Sequence, residues 1–307
     1  MALGKWQLKH LWMYPFMRTE AGADLYEWLT ANVLGTQSGM SRKWCYWFRE
    51  HVVLCRRFGR AQIPGSRIWL FQPGWSLAPV FMSKIATGQG PLVTEDRRRV
   101  ATRYLPIAIE EVAKVAEQLC ATAKTDSSRA DLLQQLRQVN RADSALRLCD
   151  AQYRVGDLHA LSAIPSGSID ICMSMGRLEH FSRSDLEFLF TQMRRVLVRG
   201  GLGSHIVDHR DHYWHYDKSI HCFHHLTFSD NDWAALCKGR KLYRNRLLEP
   251  DYVREFERAG FEVLVAIHDL HRNDAEGVDP KDLWGPFAAL TRDDLQAAVT
   301  HFVVRSR

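Results

Sequence analysis

The sequence predicts an α/β fold: a seven-stranded, mostly parallel, doubly wound sheet, Rossmann-like, carrying a helical cap at its N-terminal end. Three observations predict it. Short apolar or β-branched runs recur seven times between residues 67 and 304. Helix-forming stretches separate most of them, the alternation that builds βαβ units and a parallel sheet. The chain has 307 residues and is 46% hydrophobic and 25% charged, ordinary for a globular protein with a substantial core.

Each element has its own signal. Arg67–Phe71 is a first strand ending at Gln72-Pro73-Gly74-Trp75, and Leu92–Thr94 is a second. Tyr104–Leu148 reads as mostly helical, with a polar break near Lys124–Ser128, and marks a helical insertion at about 103–150. Tyr153–Val155, Ile169–Ser174 and Gly203–Val207 follow as strands three to five, and Phe261–Ile267 and Val299–Val304 complete the sheet. Helices are expected over Ser182–Leu197, Asp230–Cys237 and Pro250–Ala259. Residues 1–60 form an aromatic-rich helical cap, distinct from an α/β domain over 61–307. Five of the ten tryptophans fall there (Trp6, Trp12, Trp28, Trp44 and Trp47), and Ser41 is a suitable N-cap for a helix running toward Arg57.

Composition excludes several classes. The net charge is +6, yet Arg97-Arg98-Arg99 is the one dense basic run and no nucleic-acid motif occurs, so a nucleic-acid partner is not expected. No apolar run approaches the length of a membrane span. Met1–Phe16 mixes Lys5, Lys9 and His10 among its apolar residues and does not read as a signal peptide. The seven cysteines contain no Cys-x-x-Cys pair, which argues against structural zinc and a disulfide framework and fits a reducing cytoplasm. A homodimer is left open.

In an open parallel sheet, ligands bind beyond the C-terminal ends of the strands, so the residues there decide function. After strand one, Gln72, Gly74 and Trp75 form a turn that lets a ligand approach the backbone. At the end of strand two, Glu95 and Asp96 are both candidates to accept ribose hydroxyls. After strand three come Asp157 and Leu158, and after strand four Ser174, Met175 and Gly176, followed by Arg177-Leu178-Glu179-His180. No Gly-x-Gly-x-x-Gly motif is present, which disfavours a nicotinamide dehydrogenase.

These pieces resemble the class I S-adenosylmethionine-dependent methyltransferases. The matching segments are GDLHALSAIPSGSIDICMSMGRLEHF, MRRVLVRGG, GSHIVDH and EPDYVREFERAGFEVL, strongest over 153–261. The resemblance implies S-adenosylmethionine as cofactor, with Asp157 and Leu158 at its adenine, and Ser174, Leu178, Glu179 and His180 flanking the cofactor and active site. It also implies a reversed hairpin from the last two strands. The first loop departs from the family's acidic-x-Gly-x-Gly-x-Gly pattern, since Leu70 stands at the acidic position and Gln72 at the first glycine.

The expected activity is methyl transfer to a small metabolite, acting by positioning and desolvation. His180, His209, Asp211 and Tyr213 are the acid–base or orienting candidates. The altered loop motivates an alternative: transfer or cyclisation of the aminocarboxypropyl arm, giving azetidine-2-carboxylate in the second case and releasing methylthioadenosine. It equally motivates a methyltransferase-like binding protein without activity. If helical, Asp208, Asp211, His212 and His215 would share a face with metal-ligand chemistry, but no metal is assigned. The aromatic cap is expected either to glue helices onto the main domain or to close as a lid over a sulfonium, a cation that aromatic faces attract.

Overall fold

The computed structural model describes residues 4–17, 19–35, 37, 39–238, 243–268 and 278–307. Three helices come first: α1 (Lys5–Met17), α2 (Glu20–Asn32) and α3 (Met40–Arg57). Strand β1 (Ile68–Phe71), helix α4 (Ala78–Thr87) and strand β2 (Leu92–Glu95) form a parallel unit. Helices α5 (Leu105–Ala113), α6 (Ala116–Ala123), α7 (Leu132–Leu136) and α8 (Ala142–Leu148) follow. Then come β3 (Gln152–Val155), β4 (Ile169–Met175), α9 (Arg183–Val196), β5 (Leu197–Asp208), α10 (Asp230–Leu236), α11 (Glu249–Arg258), β6 (Phe261–His268) and β7 (Val299–Ser306).

The seven strands form one sheet in the order β3-β2-β1-β4-β5-β7-β6. All neighbours run parallel except β7, which is antiparallel to both β5 and β6. This is the predicted seven-stranded sheet, including the reversed final hairpin. The order reverses between β1 and β4, the position at which open parallel sheets bind ligands beyond the strands' C-terminal ends.

Period-two alternation explains the layers. Ile68 and Leu70 face a core shared with α3, α4, α5 and α6, whereas Trp69 and Phe71 face one shared with α9 and α11. Trp44, Phe48 and Val52 of α3 are fully buried in the first of these. Helices α1 and α2 pack chiefly on each other, through Met13, Met17 and Ala23.

Two expectations need correction. The mostly helical stretch expected over Tyr104–Leu148 breaks near Lys124–Ser128 as expected but also elsewhere, giving four helices, because its apolar residues Leu105, Ile109, Leu119 and Leu146 all bury in the same core. A single rod over that span would run about 65 Å and could not stay on one sheet face. The chain folds back instead, and Lys124 ends α6 in the left-handed region. The fifth strand starts six residues earlier than Gly203, since Leu197 already pairs with Ile169, and a register shift absorbs the Gly200–Gly201 turn before Leu202 pairs with Ile171. The Ser182–Leu197 helix stands as expected, started by a capping box between Ser182 and Asp185. All seven cysteines are buried and free.

Candidate active site

The loop after β1 keeps the backbone shape of a glycine turn without its first glycine. Gln72 sits at φ +48° and Gly74 at φ +77°. Holding a non-glycine residue there costs about 1–2 kcal/mol. Two bonds fix the turn: the Gln72 amide donates to the Thr94 carbonyl at 2.9 Å, and Trp44 Nε1 donates to the Pro73 carbonyl at 2.9 Å. Trp75 is partly buried, with Nε1 3.4 Å from Glu27 of α2.

Glu95 closes the turn from β2. It is 1% exposed, and its Oε1 accepts the Gly74 amide at 2.6 Å. Arg99 Nη1 donates to its Oε2 at 2.6 Å, and Arg99 Nε reaches Glu27 at 2.8 Å. Burial raises the Glu95 carboxyl above its ordinary value, opposed by the Arg177 and Arg99 charges and the Gly74 amide. Asp96 is one-third exposed and pairs with Arg97 and Arg99 instead. The buried Arg99 Nη1 serves both carboxylates, but Glu95 alone also holds the glycine turn, whereas Asp96 is part exposed and pairs with Arg97.

Sequence reasoning assigned no role to Arg177. Its Nε donates to the Gln72 carbonyl at 2.7 Å. A Cβ added to Gly74 would meet its Nη2 at 2.8 Å, so the guanidinium lies directly over the turn. The available signal was a cation in the loop after β4, opposite a loop that has Leu70 in place of an acid. Leu70 itself is fully buried in the core.

The other predicted cofactor residues are spread along the same edge. Asp157 is exposed and caps the short turn after β3, accepting the His159 and Ala160 amides at 3.0 and 3.2 Å, with half-buried Leu158 next to it. Gly176 sits at φ +60° with its amide on the Ile206 carbonyl, and Met175 is buried. Ser174 points elsewhere: its hydroxyl is 2.8 Å from His205 Nδ1 within the sheet, so it braces β4 against β5.

Beyond β4 and β5 lies a polar cluster. His180 Nδ1 donates to the Tyr243 carbonyl at 3.1 Å, which leaves Nε2 with its lone pair. Burial and the Arg244 and Arg177 charges lower this imidazole to about 3. Its ring lies 5.0 Å from that of His212. Glu179 is 2% exposed, Arg244 approaches its Oε1 only to 4.0 Å, and its Oε2 is buried without a hydrogen bond. Burial raises its carboxyl to about 7. One ligand-capable atom from each of Glu179, His180 and His212 lies within 4.8 Å of the others.

The candidates from the 208–217 stretch divide. No helix forms there, so Asp208, Asp211, His212 and His215 share no helical face. Asp208 ends β5 and pairs with Arg210 and His215, and a single short turn, Tyr213–His215, follows. His209 is 3% exposed with both nitrogens engaged, Nδ1 donating to the Leu247 carbonyl and Nε2 3.1 Å from the Thr300 hydroxyl. This is a bracing role. Asp211 is buried, receives the Tyr213 amide at 2.7 Å and is raised to about 6 by burial. The Tyr213 hydroxyl meets His10 Nδ1 of α1 at 2.7 Å, and Trp6 packs on the Tyr213, His224 and Phe228 rings. The first helix therefore covers the loop after β5. Next to the cluster, Arg183, Trp233, Tyr243, Arg244 and Arg246 line part of a cavity of about 360 Å³.

Residues 110–201 match the family model described as a methyltransferase domain. No curated protein matches. Similar solved structures include a methyltransferase in complex with the Haloferax volcanii Trm112 methyltransferase activator, at 14% identity and TM-score 0.41, covering 87% of this chain and 97% of that one. A Mesorhizobium loti S-adenosylmethionine-dependent methyltransferase has 14% identity and TM-score 0.42, covering 80% and 93%. The Streptomyces coelicolor geranyl diphosphate C-methyltransferase, solved with Mg²⁺, geranyl diphosphate and S-adenosyl-L-homocysteine, has 11% identity and TM-score 0.44, covering 84% and 78%.

Proposed function

We propose that this chain, whose sheet order and matched segment resemble those of the class I S-adenosylmethionine-dependent methyltransferases, transfers a methyl group from that cofactor to a small-molecule acceptor. The observation that carries this reading is the Glu95 carboxylate, buried at the end of β2 and held against the Gly74 turn, where a ribose would offer its hydroxyls. The reading takes Asp157 and Leu158, in the turn after β3, for the adenine edge. The Arg177 guanidinium over the turn suits an anion, and the cofactor's amino-acid end carries a carboxylate. When bound, the cofactor supplies an activated methyl group. The chain's own part is to orient it and to exclude water beneath α1 and the loop after β5. The cavity beside Tyr243 and Arg244 is the space for the acceptor.

One set of contacts favours a second reading, a binding protein without activity. Both Glu95 oxygens are already engaged, and Arg177 fills the space above Gly74. Mass spectrometry of S-adenosylmethionine after incubation with the protein and a metabolite extract separates the readings. The proposal expects S-adenosylhomocysteine. Methylthioadenosine would indicate chemistry on the aminocarboxypropyl arm, and unchanged cofactor supports the inactive reading.

A further inference from the structure

We infer that Glu179, His180 and His212 form a binding site for a divalent transition metal on the acceptor side of the crevice. The three ligand-capable atoms lie within 4.8 Å of one another, although the residues come from two different strand ends. Glu179 and His180 follow β4, and His212 follows β5, so the parallel pairing of these strands brings them together.

Two independent features point to a cation rather than a packing accident. Glu179 is 2% exposed, and its Oε2 has no hydrogen-bond partner. A buried carboxylate oxygen without a donor is costly, and Arg244 at 4.0 Å from the other oxygen is too distant to satisfy it. The second feature is the orientation of His180. Its Nδ1 donates to the Tyr243 carbonyl, the outer contact that fixes a metal-binding imidazole and frees Nε2 as the ligand.

Two imidazoles and one carboxylate suit zinc or iron(II), with open coordination positions for an exogenous group. The neighbouring cavity supplies that group's space. A dication here would polarise an acceptor oxygen. That role rests on the methyl-transfer reading, but binding of the metal does not.

The test uses full-length protein freed of metal by chelator dialysis and titrated with Zn²⁺ by calorimetry, and with Co²⁺ by visible absorption, without cofactor. The expected result is one tight site per chain, weakened at least tenfold in both His212→Ala and Glu179→Gln. Affinity should be unchanged in His221→Ala, which alters a histidine outside the cluster. Thermal melts confirm that each variant is folded, and if Glu179→Gln does not fold, His212→Ala decides alone. The inference is overturned if the wild-type chain binds neither ion, or if His212→Ala and Glu179→Gln bind both as tightly as wild type. The readout is metal affinity, so it stands apart from whether S-adenosylhomocysteine is formed.

Discussion

Glu95 and Asp96 are adjacent in sequence and opposite in situation. One is buried against the Gly74 amide, and the other is part exposed and paired with Arg97 and Arg99. Glu95→Gln should therefore weaken S-adenosylmethionine binding at least tenfold, and Asp96→Asn less than threefold. A reversed ranking by calorimetry would remove Glu95 from the site. The choice between them was not legible in the sequence, because all four residues of β2 are buried and no polar alternation marks which side chain faces the crevice. Arg177 makes a second residue-scale test. If its guanidinium takes the cofactor's carboxylate, Arg177→Ala should lower affinity about tenfold or more, the scale of a lost charged hydrogen bond. If it merely blocks the turn, the same variant should bind more tightly. The acid–base candidates were legible as residue types only. His209 looks reactive in the sequence, but its nitrogens are spent on Leu247 and Thr300, contacts 38 and 91 residues away in the chain.

At the scale of elements, strands were the most readable feature. Apolar runs such as Ile68–Phe71 and Ile169–Met175 have to be strands buried on both faces, the mark of a parallel sheet. Apart from the polar break near Lys124–Ser128, helix breaks inside 104–148 were less readable, because tertiary burial rather than local propensity decides where that segment folds back. Helix α3 looked like part of an aromatic appendage, yet its fully buried Trp44 packs in the sheet's own core and bonds the Pro73 carbonyl. Trp44→Ala should cost about 3–5 kcal/mol of stability, and because Trp44 braces the turn it should also weaken cofactor binding. Denaturant unfolding measures the first effect. A loss below 1 kcal/mol would mean that α3 is not integral to the domain.

The whole molecule carries a pH dependence in its sheet. His51 and His301 flank the Ser204 hydroxyl at 2.7 and 2.8 Å, and His205 bonds Ser174. Burial lowers His205 and His301 to about 3, and His51 well below its ordinary value. The unfolded chain protonates these imidazoles near pH 6.5 and the folded chain does not, so their stability is fully present above about pH 6.5 and is lost as pH falls toward 3. At pH 4.5 the loss is roughly 2–3 kcal/mol for His205. Unfolding free energies at pH 7 and 4.5 should differ accordingly, and His205→Gln should reduce the difference. Equal values at both pH would refute the assignment. Across the molecule, the sheet order, the reversed hairpin and the turn after β1, with the Arg177 guanidinium over it, are the features on which the proposed cofactor crevice rests. The most direct test of that crevice is calorimetric titration of S-adenosylmethionine into the wild-type chain and Glu95→Gln. The account predicts one site of micromolar affinity that the substitution weakens at least tenfold. Absence of binding to the wild type, or equal binding to both proteins, would contradict it.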